Sequence, residues 1–388
     1  MTQMSEDQLN FGFEESGEPD PGESGPGESG PGESGPGESG PGESGPGESG
    51  PGESGPEQPA PVDSSQKTES DGPLSEPTRE QRCLGAVLGG AIGDAMGHPT
   101  EFMGSFESIR RRYPPNGVTQ FELFWDRDGR RFAPYTDDTQ MSECVLRALL
   151  DESNDLDECM KGMAERFIEW SHSPQGGHRA PGNACLSGCR ALESGVHWSE
   201  GGGPTAGGCG SVMRAYPFGL VFADDIERAE DWAVAHSKLT HRDPIALAAS
   251  AAMAVGVVRI LRDESVTTVI SEMVAAACRY SAPTAQMMCR AIDEAREGVN
   301  PETTLTRLEA WAAHEAIAAA VYIFVRHPND PRTAILEGTN TPGDSDSIAT
   351  LAGALTGARC GLEALPEDWV KDVERSDELR ELALRISP

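Results

Sequence analysis

Residues 85–101 read GAVLGGAIGDAMGHPTE, and the spacing of their glycines decides the fold. Gly85, Gly89 and Gly93 recur every fourth residue, which places them along one face of an α-helix. Ala86, Val87, Leu88, Ala91 and Ile92 fill the other faces, so this helix is expected to be buried all round, with the glycine stripe admitting a second helix at close range. Asp94 and Glu101 fall at or just beyond the helix end, where a negative charge opposes the helix dipole. Asp94 therefore needs hydrogen-bond donors or a functional role. Glu101 is either a solvated surface residue or a general acid or base in a cleft.

Outward from this run the pattern stays helical. Apolar residues at helical spacing predict helices over 83–95, 139–150, 157–171, 184–193, 226–240, 244–262, 265–280, 284–297, 301–326, 330–338 and 347–363, with strand-like runs rare and short. The expectation is one all-α domain over residues 81–388. The alanine-rich stretch Pro244–Leu261 is about as long as a membrane span, but with Asp243 before it and Arg259 near its end it reads as a buried helix.

Residues 1–80 cannot join that domain. Seven consecutive copies of Pro-Gly-Glu-Ser-Gly run from Pro21 to Gly55, and large aliphatic side chains are too few to offset the entropy of ordering. This segment is expected to be a disordered, low-complexity, acidic tail acting as a linker. Its tip carries Leu9, Phe11 and Phe13 among acids, which is either a short docking segment or a tail with incidental aromatics.

The 31 basic and 64 acidic residues give a net charge of −33. The tail holds 19 of the acids against 2 bases, a charge of −17, so the remaining −16 belongs to residues 81–388. An acidic domain argues against a nucleic-acid binder and suits cations or basic partners. Nine cysteines, without a Cys-x-x-Cys pair, fit neither a disulfide framework nor a zinc ribbon and read as reduced thiols of a cytoplasmic protein. The N-terminus carries no basic segment followed by an apolar run, so neither a signal peptide nor a membrane partner is expected.

Two acidic motifs each open an apolar helix. In Tyr135-Thr136-Asp137-Asp138-Thr139-Gln140-Met141, Thr136 or Asp137 suits the N-cap, and Asp137 and Gln140 have capping-box spacing. In Gly343-Asp344-Ser345-Asp346-Ser347 a bend can aim both aspartates at one point beside the Ser347 hydroxyl. Capping explains one acid in each motif and leaves the other over. If the motifs converge, four carboxylates meet, and each ionised pair at about 4 Å costs around 4 kcal/mol at an effective dielectric of about 20. Divalent cations relieve that repulsion, and an oxygen donor set without nearby Cys or His favours Mg²⁺ or Mn²⁺ over Zn²⁺. Two glycine-rich loops, 176–183 (GGHRAPGN) and 207–214, offer backbone amides to an anion, although neither is a P-loop or a dinucleotide fingerprint. His241, in Leu239-Thr240-His241 between two helices, is by itself more simply structural than catalytic.

Taken in order, GAVLGGAIGDAMG, YTDDTQM, RAPGNACLSG, GCGSVMRAYP, LTHRDP and GDSDSIATLAGALTGA resemble the ADP-ribosylglycohydrolase family over about residues 82–385. The resemblance implies a compact helical bundle around two metal ions, Mg²⁺ or Mn²⁺. It implies that Thr136, Asp137 and Asp138 bind one ion, that Asp344 and Ser347 bind the other, and that Asp346 bridges them. Glu101 matches a catalytic or metal-linked glutamate, with Asp137 and Asp138 sharing the proton chemistry. Gly182 and Asn183 would contact the ribose, Gly210, Ser211, Val212 and Met213 the diphosphate, and His241 would line the cleft. Ser345 and Ser347 stand where the family pattern has threonines, and Thr341-Pro342 precedes Gly343 where a second glycine is common.

The implied reaction is hydrolysis of the N-glycosidic bond between ADP-ribose and a modified protein side chain, arginine first, reversing mono-ADP-ribosylation. The alternative is an immunity or regulatory protein whose N-terminal arm binds and blocks a cognate ADP-ribosyltransferase, with or without hydrolysis.

Overall fold

The computed structural model describes residues 76–123, 125–127, 130–151 and 154–386. The tail, its repeats and its aromatic tip lie outside the described residues up to position 75, and with them the arm on which the transferase-blocking alternative depends. Among the described residues there are sixteen α-helices and one short hairpin. In chain order they are α1 (Arg79–Gly97), α2 (Phe106–Arg112), β1 (Trp125–Arg127), β2 (Arg130–Phe132), α3 (Asp137–Leu150), α4 (Leu156–His172), α5 (Asn183–Glu193), α6 (Tyr216–Val221), α7 (Ile226–Ser237), α8 (Pro244–Leu261), α9 (Val266–Tyr280), α10 (Ala282–Glu297), α11 (Pro301–Arg307), α12 (Ala313–Arg326), α13 (Pro331–Thr339), α14 (Ser345–Cys360), α15 (Glu367–Asp372) and α16 (Ser376–Ile386). The fold is all-α, as its periodicity predicts.

α1 starts under a capping box in which the Thr78 hydroxyl accepts from Gln81 N and Gln81 Oε1 accepts from Thr78 N. It then runs antiparallel against α14, the most extensive pairing in the molecule. A Cβ on Gly85, Gly89 or Gly93 would lie 2.2, 2.4 and 2.1 Å from the carbonyl oxygens of Gly357, Gly353 and Ala349. Each step of four residues on α1 thus meets a step of four on α14, and the small residues let the two backbones touch. The seam ends at Gly97, whose missing Cβ would come within 2.5 Å of Asp346 Cα. This packing delivers the acidic start of α14 to the end of α1.

α13 and α12 cover α14, and α8 lies behind them. α8 has the length and mean hydropathy (1.9) of a membrane span, yet 72% of it is buried inside its own chain, under α6, α7, α9 and α12.

The helix expected over 301–326 is two helices. α11 ends at Arg307 and α12 begins at Ala313, with Ala310 in the left-handed region at φ 65° between them. The apolar spacing survives the break, so periodicity does not reveal it. The intervening backbone is satisfied elsewhere: Glu309 O accepts from Asp344 N (2.8 Å), Trp311 O from Cys209 N (3.2 Å), and Ala313 N donates to Gly207 O (2.9 Å). The hairpin and the short helices α2, α6 and α15 are not legible as periodic runs, whereas α16, absent from the expected helices, has Leu379, Leu382, Ala383 and Ile386 at helical spacing and all buried.

Candidate active site

Three helix ends meet: the C-terminus of α1 with the 3₁₀ turn His98–Thr100 behind it, the N-terminus of α3, and the N-terminus of α14. Asp94 joins the first two. Its Oδ1 accepts from Thr136 N (2.8 Å) and Thr136 Oγ1 (2.7 Å), and its Oδ2 from Thr139 N (2.9 Å) and Thr139 Oγ1 (2.6 Å). The charge that is unfavourable at the end of α1 therefore sits at the positive end of α3. Burial, and then Asp346, push the Asp94 carboxyl up to about 7, against the pull of these hydrogen bonds. Thr100 anchors the third end: its hydroxyl lies 3.0 Å from Ser345 Oγ at the start of α14 and bonds Gly97 O.

Thr136, rather than Asp137, caps α3, accepting from Asp138 N. Gln140 makes no capping box, because its amide donates to Gln175 O and Gly177 O. The two aspartates are thereby free to face the start of α14. Ser347 Oγ donates to Asp138 Oδ2 (3.0 Å), and Thr136 Oγ1 lies 3.3 Å from Asp346 Oδ2. The Gly182 amide reaches Asp137, which joins the first glycine-rich loop to the cluster. Gly343 turns the chain into α14 at φ 97°, and a Cβ there would stand 2.4 Å from Glu309 O, so the position requires glycine.

Asp137, Asp138, Asp344 and Asp346 are all buried, and the Glu101 side chain is 7% exposed. Burial first, then the charge of Asp346, raises the pKa of Glu101, Asp137, Asp138 and Asp344 well above the usual carboxylate range, Glu101 to about 12. Among the described residues no Lys or Arg pairs with any of these five carboxylates.

The donor set is not purely oxygen, which corrects the reading from sequence. His98 Nδ1 lies 3.5 Å from Glu101 Oε2, and the ligand atoms of His98, Glu101 and Asp346 lie within 4.8 Å of one another, close enough to share a cation. Both His98 Nδ1 and Glu101 Oε2 are buried without a hydrogen-bond partner, and burial lowers the His98 pKa, favouring the neutral, ligating form. Cys209 Sγ donates to Asp344 Oδ2 and lies 3.7 Å from Ser347 Oγ, while burial and Asp344 hold it as a thiol. Orphaned donor atoms among uncompensated carboxylates fit a divalent cation. His98 was legible only as the residue one turn before Glu101; Cys209 lies 135 residues from Asp344 and carried no such signal.

The remaining predicted residues lie on the neighbouring loops. Gly182 precedes α5 and Asn183 opens it, both exposed. Gly210 and Ser211 sit in the 3₁₀ turn Cys209–Ser211, and the Val212 and Met213 amides bond to Cys209 O (2.9 and 3.2 Å), with both side chains buried. A Cβ on Gly210 would lie 2.9 Å from His241 Cε1, so glycine lets that loop close onto the imidazole. His241 is buried, bonded through Nδ1 to Thr240 Oγ1 (2.8 Å), and held near a pKa of 3 by burial and Arg214. It stays neutral at physiological pH. Arg214 is fully buried beneath this loop, donating to Gly210 O and Thr240 Oγ1 with its guanidinium 4.6 Å from the Phe167 ring centroid.

Residues 75–388 match the family model described as ADP-ribosylglycohydrolase, and the chain belongs to that family, whose members are metal-dependent glycosidases hydrolysing ADP-ribose linkages. It is 28% identical to an ADP-ribosylhydrolase ARH3 of Danio rerio, over 79% of this chain and 90% of that protein. It is 27% identical to the ADP-ribosyl-[dinitrogen reductase] glycohydrolase of Rhodospirillum rubrum (81% and 97%) and 26% identical to the ADP-ribosylarginine hydrolase Tri1 of Pseudomonas putida (79% and 77%). A solved structure titled ADP-ribosylglycohydrolase-related protein complex superposes with a TM-score of 0.59 at 25% identity, covering 79% of this chain and 97% of the other.

Proposed function

We propose that the chain hydrolyses the N-glycosidic bond between ADP-ribose and an arginine side chain of a modified protein, using two divalent ions, Mg²⁺ or Mn²⁺. The observation that carries this reading is the gathering of Glu101, Asp137, Asp138, Asp344 and Ser347 around Asp346 in one buried cluster, with Glu101 Oε2 and His98 Nδ1 each lacking a hydrogen bond there. Thr136, Asp137 and Asp138 would hold one ion and Asp344 and Ser347 the other, with Asp346 between them. Bound there, the ions would offset the carboxylate charge and orient ribose hydroxyls and a water. Arginine as the linked residue is supported by the acidity of the site and by the name of the Pseudomonas putida relative.

In the reaction the bond from the anomeric carbon to the guanidine nitrogen breaks and a bond to water oxygen forms. A carboxyl among Glu101, Asp137 and Asp138 carries a proton from the attacking water to the departing nitrogen. The surrounding carboxylates stabilise the positive charge that develops on the ribose ring. Gly182 and Asn183 would hold the ribose, and the Gly210–Met213 turn with His241 the diphosphate. The nine cysteines are all unpaired, which supports action in the cytoplasm.

The test is ADP-ribose release from an arginine-ADP-ribosylated protein, with Mg²⁺ and then with chelator, and with a serine-linked substrate alongside. Release that requires metal and the arginine linkage supports the reading. Asp344→Ala and Asp346→Ala should each lower kcat at least about 10³-fold, and full activity in both would overturn the assignment.

A further inference from the structure

Two aromatic rings stand in solvent at the edge of the acid cluster. Phe102 is 66% exposed and Trp311 42%, and they stack on one another with centroids 5.3 Å apart and planes inclined by 21°. Phe102 follows Glu101 directly, and Trp311 sits in the break between α11 and α12. Left-handed backbone presents both: Phe102 has φ 67°, and Ala310, next to Trp311, has φ 65°. Both segments are tied to the same loop, since Phe102 N donates to Gly343 O (3.1 Å), Gly343 N to Met103 O (3.0 Å), and Asp344 N to Glu309 O (2.8 Å). The rings are therefore fixed relative to Asp344, and burial accounts for neither their exposure nor the strained backbone beneath them.

We propose that the Phe102–Trp311 pair is the platform for the leaving residue, stacking on the guanidinium of the linked arginine and giving the site its preference for arginine over serine linkages. The inference rests on the hydrolase reading above. A guanidinium is planar and weakly hydrated and binds aromatic faces. Acids adjoin the pair along the chain: Glu101, buried with its Oε2 lacking a hydrogen bond, immediately precedes Phe102, and the exposed Glu309 lies two residues before Trp311. That surround favours a planar cation over adenine, the neutral planar group of the same substrate. A serine linkage brings neither plane nor charge.

The experiment uses the Mg²⁺-loaded full chain with Phe102→Ala, Trp311→Ala and the conservative Trp311→Phe. Each alanine variant should raise KM for an arginine-linked ADP-ribosyl peptide about three- to fivefold, shift KM for a serine-linked peptide and Kd for free ADP-ribose less than about twofold, and be rescued by phenylalanine at 311. Equal weakening of ADP-ribose would place the rings on adenine, and equal effects on both peptides would make them a brace for the loop; either result overturns the proposal. A titration with N-acetylarginine amide against N-acetyllysine amide, read by tryptophan fluorescence, needs no turnover. Arginine-selective quenching that Phe102→Ala weakens supports the platform, and no quenching overturns it, whether or not the wild type releases ADP-ribose.

Discussion

Adding one methyl group to the α1–α14 seam should invert the usual effect of glycine replacement. In a helix interior Gly→Ala stabilises by about 1 kcal/mol through backbone entropy. Gly162 in α4 is the reference: a Cβ there has nothing within 4 Å, so Gly162→Ala should gain about 0.5 to 1 kcal/mol. At Gly93 the same atom would lie 2.1 Å from Ala349 O and 2.7 Å from Thr350 N. A carbon approaches a carbonyl oxygen no closer than about 3.3 Å, so α14 must retreat by roughly 1 Å. Overpacking costs about 1 to 3 kcal/mol, and an atom more than about 1 Å inside contact belongs at the upper end, about 2 to 3 kcal/mol, which outweighs the entropic gain and leaves a net loss of about 1 to 2 kcal/mol. For a domain of this size that lowers Tm by roughly 2 to 3 °C. Ala349 lies two residues beyond Ser347, and Gly93 adjoins Asp94, so the retreat should also part Glu101 from Asp346. A displacement near 1 Å can cost about 10²-fold in rate, far more than the unfolded fraction explains. Urea unfolding of both variants, with kcat measured on protein shown to be folded, decides the matter. If Gly93→Ala matches Gly162→Ala in stability or retains full activity, the seam does not set the spacing of the site.

Arg179, buried in the first glycine-rich loop, pairs with Glu374 at 2.5 Å and also donates to Tyr135 O, tying that loop to the segment before Thr136. Arg179→Met leaves a buried carboxylate unpaired and should destabilise by about 3 to 5 kcal/mol, whereas adding Glu374→Leu should recover part of the loss; thermal unfolding of the single and double variants tests this. The acid cluster also sets a pH dependence. Asp94 holds its proton to about 7 when folded but to only 3.8 in a free side chain, so between those values the folded state binds more protons and its stability falls as pH rises. Metal-free protein should accordingly lose stability from about pH 4 through 7 and regain it on addition of Mg²⁺ at pH 8. Stability that climbs with pH over that window without metal would contradict the repulsion argument.

The acidic motifs and the glycine stripe were legible because each is local: a carboxylate in excess of capping needs, or a spacing of four, is visible within one helix. What escaped depends on contacts across the chain. Cys209 is brought to Asp344 by the Trp311 and Gly207 backbones, and the break at 308–312 exists because Asp344, Cys209 and Gly207 satisfy backbone groups that a continuous helix would have kept. Apolar periodicity reports which face is buried and is silent about where a carbonyl finds its donor. Asp94 marks the boundary between the two kinds of information. Dipole reasoning within α1 says that it needs donors, but only the fold shows that those donors are Thr136 and Thr139, more than forty residues on. The same residue thereby sets the orientation of α3, so the placement of Asp137 and Asp138 opposite Asp346 follows from an acid that binds neither substrate nor metal in this scheme. Loss of the Asp94 carboxylate should consequently disturb the cluster through the tilt of α3, even with every proposed ligand still in the chain.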